Sequence, residues 1–115
     1  MPAKFELKKA KNKKVYFNLL AANGEIILTS QMYAGKGSAK KGIRSVQANC
    51  SDDDRFVVRK GKGGKEHFVL RAANNRVIGN SQTYKSSSAL KNGIKSVKKS
   101  GKTAKIIDFS GVHEI

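Results

Sequence analysis

A chain of 115 residues can enclose one modest hydrophobic core and is too short for two ordinary independent domains. Twenty-four Lys and Arg stand against eight Asp and Glu, a formal charge of +16, and such a field favours nucleic acid, acidic headgroups or acidic proteins without conferring specificity. The lone Cys50 excludes an intramolecular disulfide framework, and no apolar run approaches membrane-spanning length.

The charge is not gathered in a tail, since eleven Lys and Arg precede residue 58 and thirteen follow. Met1 to Lys4 leads into a strand without a signal-like apolar segment, so a cytoplasmic protein is the expectation. In chain order, Phe5 and Leu7 have strand spacing, Lys9–Lys14 reads as a basic loop, and Val15–Ala21 reads as a second strand. Asn23-Gly24 suits a two-residue type I′ turn, after which Glu25–Ser30 forms a third strand.

That turn predicts cross-strand pairs. Ala21 with Ile26, Leu19 with Leu28 and Phe17 with Ser30 form the face to be covered by a helix. Leu20 with Ile27, Asn18 with Thr29 and Tyr16 with Gln31 form the opposite face. Glycine and serine between Ala34 and Ser38 mark a turn into a helix whose inward stripe is Ala39, Ile43, Val46 and Cys50. Lys40, Lys41 and Arg44 fall off that stripe. Asp52-Asp53-Asp54 lacks calcium-loop spacing and reads as a solvated linker that offsets nearby positive charge.

From Arg55 the pattern starts again. Phe68 to Asn75 repeats Phe17 to Gly24 at a displacement of 51 residues, and the same displacement carries Ser30 to Ser81, Tyr33 to Tyr84, Gly42 to Gly93 and Val46 to Val97 without a gap. The second hairpin therefore pairs Ala72 with Val77, Leu70 with Gly79 and Phe68 with Ser81, and on its other face Arg71 with Ile78, Val69 with Asn80 and His67 with Gln82. Gly79 carries less volume than Leu28, so the halves are not expected to pack identically. Ser86–Ser88 supplies an N-cap for a second helix with inward row Leu90, Ile94 and Val97 and outward Lys91, Lys95, Lys98 and Lys99. Ala104–Phe109 is a closing strand, and Gly111–Ile115 is expected to fray. The whole chain, residues 1–115, is one compact domain with internal repeats over about 4–54 and 55–109.

The paired segments Ala21–Ile27 and Gly42–Val46, with Ala72–Ile78 and Gly93–Val97 in the second copy, resemble the YegP-like family of uncharacterised proteins over nearly the whole chain. The resemblance implies an α+β fold: a single antiparallel sheet from two β-β-β-α repeats plus a closing strand, helices on one face, and closing strands exchanged between repeats. It implies no activity, substrate or catalytic residue.

For function, the residues point first to a non-enzymatic basic module that binds RNA, DNA or another polyanion. The candidate contacts are Tyr16, Lys40, Lys41, Arg44, His67, Arg71, Lys91 and Lys95, with lysines on phosphates and Tyr16 stacked on a base. The alternative is a protein-interaction or self-assembly module, with an acidic protein or a second copy docked on Leu20, Ile27, Val69 and Ile78. Neither reading requires a metal or cofactor. His67 has no accompanying nucleophile or carboxylate at a recognisable spacing, His113 lies near the terminus, and Lys62-Gly63-Gly64-Lys65 lacks P-loop spacing, so an enzyme is not expected.

Overall fold

A computed structural model describes residues 3–109 of the chain. The strands are β1 (Lys4–Lys9), β2 (Val15–Leu20), β3 (Ile26–Ser30), β4 (Phe56–Lys60), β5 (Glu66–Arg71), β6 (Val77–Asn80) and β7 (Lys105–Asp108), with helices α1 (Lys36–Asn49) after β3 and α2 (Ser87–Thr103) after β6. They build one sheet in the order β4-β5-β6-β3-β2-β1-β7. The fold is α+β, two β-β-β-α units and a closing strand, as the repeat implied. The expectation for His113 and for Gly111–Ile115 lies outside the described residues.

Most of the inward rows are buried as the pattern required, but the expected Ala21–Ile26 pair does not form and Ile26 is 43% exposed. Phe5, Leu7, Phe17, Leu19, Leu28, Phe68 and Leu70 are fully buried, and so are Ala39, Ile43 and Val46 on α1 and Cys50 at its C-terminal cap. Ser86 caps α2, its Oγ accepting a hydrogen bond from the Ala89 amide at 3.1 Å. The repeated serines prove to be structural. Ser30 Oγ accepts from the Phe17 amide at 2.9 Å and donates to the Gln31 carbonyl, and Ser81 does the same for Phe68 and Gln82.

Both hairpin turns differ from the two-residue form. The Gly24 amide donates to the Ala21 carbonyl and the Ala21 amide to the Glu25 carbonyl, each at 2.9 Å. Gly24 has φ +86°, whereas Asn23 is not among the positive-φ residues. This is a three-residue loop with the left-handed residue in third place. Asn23 Oδ1 accepts from the Glu25 amide at 3.0 Å, and Asn74 repeats that bond to Arg76, so asparagine is used here as a side-chain acceptor. Asn75 takes the left-handed position at φ +69°, which asparagine tolerates better than most residues.

The longer turn shifts the register at the hairpin end, so Leu20 pairs with Ile26 and Arg71 with Val77 instead of Ile27 and Ile78. A bulge then restores the predicted pairs, Leu19 with Leu28 and Asn18 with Thr29, and in the second unit Leu70 with Gly79 and Val69 with Asn80. The extra residues, Ile27 and Ile78, join the hydrophobic core.

The two units meet through β3 and β6, where Thr29 pairs with Asn80 and Ser30 with Gly79. Thr29 and Asn80 are repeat counterparts, so the antiparallel seam carries an approximate two-fold axis. Both helices lie on one side, which sets that axis perpendicular to the sheet. Two crowded points lie beside it. A Cβ on Gly79 would stand 3.1 Å from Leu28 Cγ, and one on Gly101 would stand 2.7 Å from Cys50 Sγ. Leu28 and Gly79 are counterparts, as are Cys50 and Gly101. At each point one half supplies bulk and the other supplies glycine.

The sheet is antiparallel from β4 to β1, but β7 adds parallel to β1, with Phe5 opposite Ile106 and Leu7 opposite Asp108. The two-fold operation explains this departure from an all-antiparallel sheet. It would carry β4, which lies antiparallel to β5, onto a place antiparallel to β2. That place is already filled by β1, so β7 crosses to the first unit, keeps its direction and settles outside β1. The edge position also explains why Phe56 and Val58 are less buried than Phe5 and Leu7. Among the described residues no strand flanks β4 on its outer side, and Val58 is 46% exposed.

Candidate functional site

The eight candidate residues fall on two opposite faces of the protein. Tyr16, His67 and Arg71 stand on the sheet surface away from the helices, whereas Lys40, Lys41 and Arg44 lie on α1 and Lys91 and Lys95 on α2, all five exposed.

On the sheet face, half-buried Tyr16 pairs with Lys8 and half-buried His67 with the exposed Arg59. Tyr16 and Arg71 stand level, about 14 Å apart across three strand spacings. The axis sends Tyr16 to the place of His67, each second in its own strand, and because β2 and β5 run in opposite directions the two lie at opposite ends of the sheet and share no pocket. The centre of the face is polar: Thr29 Oγ1 donates to Asn18 Oδ1 at 2.8 Å. Glu6 lies between Lys4 and Lys8, at 3.3 and 3.7 Å, and offsets both.

The apolar quartet expected on this face is not a surface patch. Leu20, Ile27, Val69 and Ile78 are 8%, 3%, 2% and 4% exposed. Central strands have neighbours on both sides, and the paired bulges sharpen the twist, so short side chains sink among longer ones. Exposed apolar groups instead gather at the β7 edge, where Ile106, Ile107 and Phe109 are each about two-fifths exposed. A cleft of about 440 Å³ opens there, lined chiefly by Ala3, Leu20, Ala22 and Ile107 with Lys4 and Lys105. None of the eight candidates lines it, and strand periodicity gave no sign of it because it depends on the crossing of β7.

The helix layer is different in charge. Its two helices carry nine Lys and Arg and no Asp or Glu. Among the described residues, Lys36 pairs with Asp108 at 2.9 Å and Lys98 pairs with Asp53. Lys40, Lys41, Arg44, Lys91, Lys95, Lys99 and Lys102 have no carboxylate within ion-pair distance among the described residues. Within the acidic run Asp53 reaches Lys98, whereas Asp52 serves the local chain: its Oδ1 accepts from the Asp54 amide at 3.0 Å and its carboxylate lies 3.5 Å from Arg55.

Burial pushes the Cys50 thiol up and so disfavours the thiolate, against a smaller opposing effect of the Lys102 cation. Its Sγ packs where Gly101 leaves room. Among the described residues, no three His, Cys, Asp or Glu side chains form a group able to hold a metal ion. No helix in that span is long and apolar enough to cross a membrane.

Fold and surface together define a class: a tandem-repeat α+β protein with one seven-stranded sheet and a cationic helix layer. A family described as a domain of unknown function (DUF1508) matches the chain twice, over residues 10–56 and 62–108. The chain is 50% identical to a UPF0339 protein of Photorhabdus laumondii over 106 residues, 92% of this chain and 93% of that one. It is also 50% identical to one of Pseudomonas aeruginosa over 110 residues, 96% of this chain and all of the relative. Its fold matches the solution structures of a UPF0339 protein from Shewanella oneidensis, with TM-score 0.92 and 46% identity over 99% of this chain and 97% of that one, and of a protein of unknown function, yegP, from E. coli, with TM-score 0.92 and 41% identity over 98% and 97%. The chain belongs to the UPF0339/YegP family of bacterial proteins.

Proposed function

We propose that this protein is a non-enzymatic, cytoplasmic binding module for polyanions, with RNA or DNA as the principal partner. The observation that carries the reading is the helix layer, where nine cations meet no carboxylate within the helices and two are neutralised from outside. Exposed lysines that lack local partners gain from phosphate contact by releasing counterions. The expected result is binding of short nucleic acid that weakens steeply with salt. With four helix-layer cations engaged, log K should fall against log salt with a slope of about −3.6 on B-form duplex and about −2.8 on a single strand. Heparin should compete. Fluorescence anisotropy on folded protein that shows no binding to RNA or DNA at low salt would remove the proposal.

One observation favours a second reading, self-association: β7 is an exposed edge strand that carries Ile106 and Ile107. Such edges accept further strands. Sedimentation over a concentration series decides it, with a growing dimer fraction in support and an unchanging monomer against.

A further inference from the structure

The approximate two-fold axis discriminates between the two candidate faces. On the helix layer the operation exchanges basic residue for basic residue at two pairs, Lys40 with Lys91 and Arg44 with Lys95. On the sheet face it exchanges Tyr16 with His67 and Leu20 with Arg71, and Glu6 with Val57. Four of the nine helix-layer cations thus form two symmetry-related rows, while Lys36, Lys41, Lys98, Lys99 and Lys102 exchange with Ser87, Asn92, Gln47, Ala48 and Ser51; on the sheet face Lys8 exchanges with Arg59, but Glu6 offsets Lys8 and its counterpart Val57 offers Arg59 no such partner.

The geometry of the layer follows from the same axis. The helices touch at their C-terminal ends, where a Cβ on Gly101 would meet Cys50 Sγ at 2.7 Å and Val46 Cγ1 at 3.3 Å. From that crossing each helix runs away from the axis. Lys40 and Lys91 each lie ten residues from it, about 15 Å of helix. The two basic rows thus extend to opposite sides over a span of up to about 30 Å, within one turn of duplex at about 34 Å.

We infer that the helix layer is the polyanion-binding face and that its occupant is a nucleic-acid duplex, whose two antiparallel phosphodiester backbones meet the two basic rows about a common two-fold axis. This rests on the polyanion-binding reading and deepens it. A duplex backbone has two-fold axes perpendicular to its length, so each row contacts one strand in an equivalent way. A single strand has direction and no such axis, and can satisfy only one row in that manner. The contacts are to phosphate, so sequence preference is absent. DNA and RNA duplexes share the chemistry that is recognised.

The test uses the full chain and four double variants: Lys40→Ala with Arg44→Ala, Lys91→Ala with Lys95→Ala, and Tyr16→Ala combined in turn with His67→Ala and with Arg71→Ala. Each is titrated with a 12-base-pair DNA duplex, the matching RNA duplex and the matching single strands across a salt series, after circular dichroism has confirmed folding. The two helix-row variants should lose affinity for duplex by the same factor, and each should flatten the salt slope by about 1.8 on DNA duplex. Sheet-face variants should leave duplex binding within two-fold of the parent. Comparison of the DNA and RNA arms identifies which duplex is preferred. Tighter binding to single strands than to either duplex, a silent row on one helix, or a larger loss from the sheet-face variants would overturn the inference while polyanion binding stands. Absence of binding in every arm at low salt removes the polyanion reading itself, and this inference with it.

Discussion

Replacing Gly79 with leucine, the residue its counterpart Leu28 provides, is expected to destabilise the protein by about 3 kcal/mol or more. Even a Cβ at this site would stand 2.7 Å from the Thr29 carbonyl oxygen and 3.1 Å from Leu28 Cγ. Overpacking a core generally costs about 1–3 kcal/mol. Here the contact includes backbone, and it falls on the Ser30–Gly79 pairing that joins the two units. The folded state of a domain this size rests on about 5–15 kcal/mol in total. Urea denaturation should show the loss as a lower midpoint. Leu28→Gly alone should also destabilise, by opening a cavity at the seam, roughly 2–5 kcal/mol as for other leucine truncations. The double variant, with the bulk moved to the other side, should be more stable than the sum of the single losses predicts. It should recover only the side-chain part, because the Thr29 carbonyl remains. Additive single losses, or a harmless Gly79→Leu, would mean that the seam is not crowded as described.

Gly42→Ala and Gly93→Ala are each expected to lower stability by about 1–3 kcal/mol, although alanine is the better helix former by about 1 kcal/mol. A Cβ on Gly42 would lie 2.3 Å from Tyr33 Oη, and one on Gly93 would lie 2.3 Å from Tyr84 Oη. Neither ring can withdraw easily. Tyr33 stacks on Phe17 at 6.2 Å and 12°, and Tyr84 on Phe68 at 6.1 Å and 10°. Their backbones are tied to the sheet as well, Tyr33 to Val15 at 2.7 and 2.8 Å and Tyr84 to Glu66 at 2.7 and 3.0 Å. Removing the ring reverses the sign: in a Tyr33→Ala background, Gly42→Ala should stabilise by up to about 1 kcal/mol, because only helix propensity remains. Thermal or urea unfolding of the four variants checks both expectations, and a stabilising Gly42→Ala in the parent would refute the contact.

Much of this fold could be read from residue order. Alternation in Phe17-Asn18-Leu19 assigns faces, the spacing Ala39, Ile43, Val46, Cys50 assigns the buried stripe, and the 51-residue displacement lets each half check the other. Glycine recurs at 42 and 93, a helix position kept free of a side chain in both halves. That recurrence did not reveal that a tyrosine ring from the loop before each helix would occupy that space, because the contact is tertiary. Asn23-Gly24 fits more than one loop length, and the feature that distinguishes them, a bond from the Ala21 amide to the Glu25 carbonyl, is a matter of geometry and not of residue type. The direction of β7 depended on the slot beside β2 being occupied, which local pattern cannot express.

The candidate binding residues were legible as charges and not as a surface. Helical spacing placed Lys40, Arg44, Lys91 and Lys95 outside the core, and the turn register placed Tyr16, His67 and Arg71 away from the helices. Their division between two faces needed the layers to be known. The burial of Leu20 and Val69 was hidden for the same reason: a residue opposite the helices is exposed on a flat two-stranded ribbon but sinks into the middle of a wide, twisted sheet.

The glycine-for-bulk exchange at the axis has a consequence for how the chain finds its partner half during synthesis. Two first halves brought together would set leucine against leucine and cysteine against cysteine in spaces that hold one such side chain. Two second halves would meet glycine with glycine and leave both spaces empty. Only unlike halves fit, and the unlike half is tethered in the same molecule. Neighbouring nascent chains on one message, each exposing its first half before the second has emerged, therefore hold a mismatch towards one another that their own second half resolves.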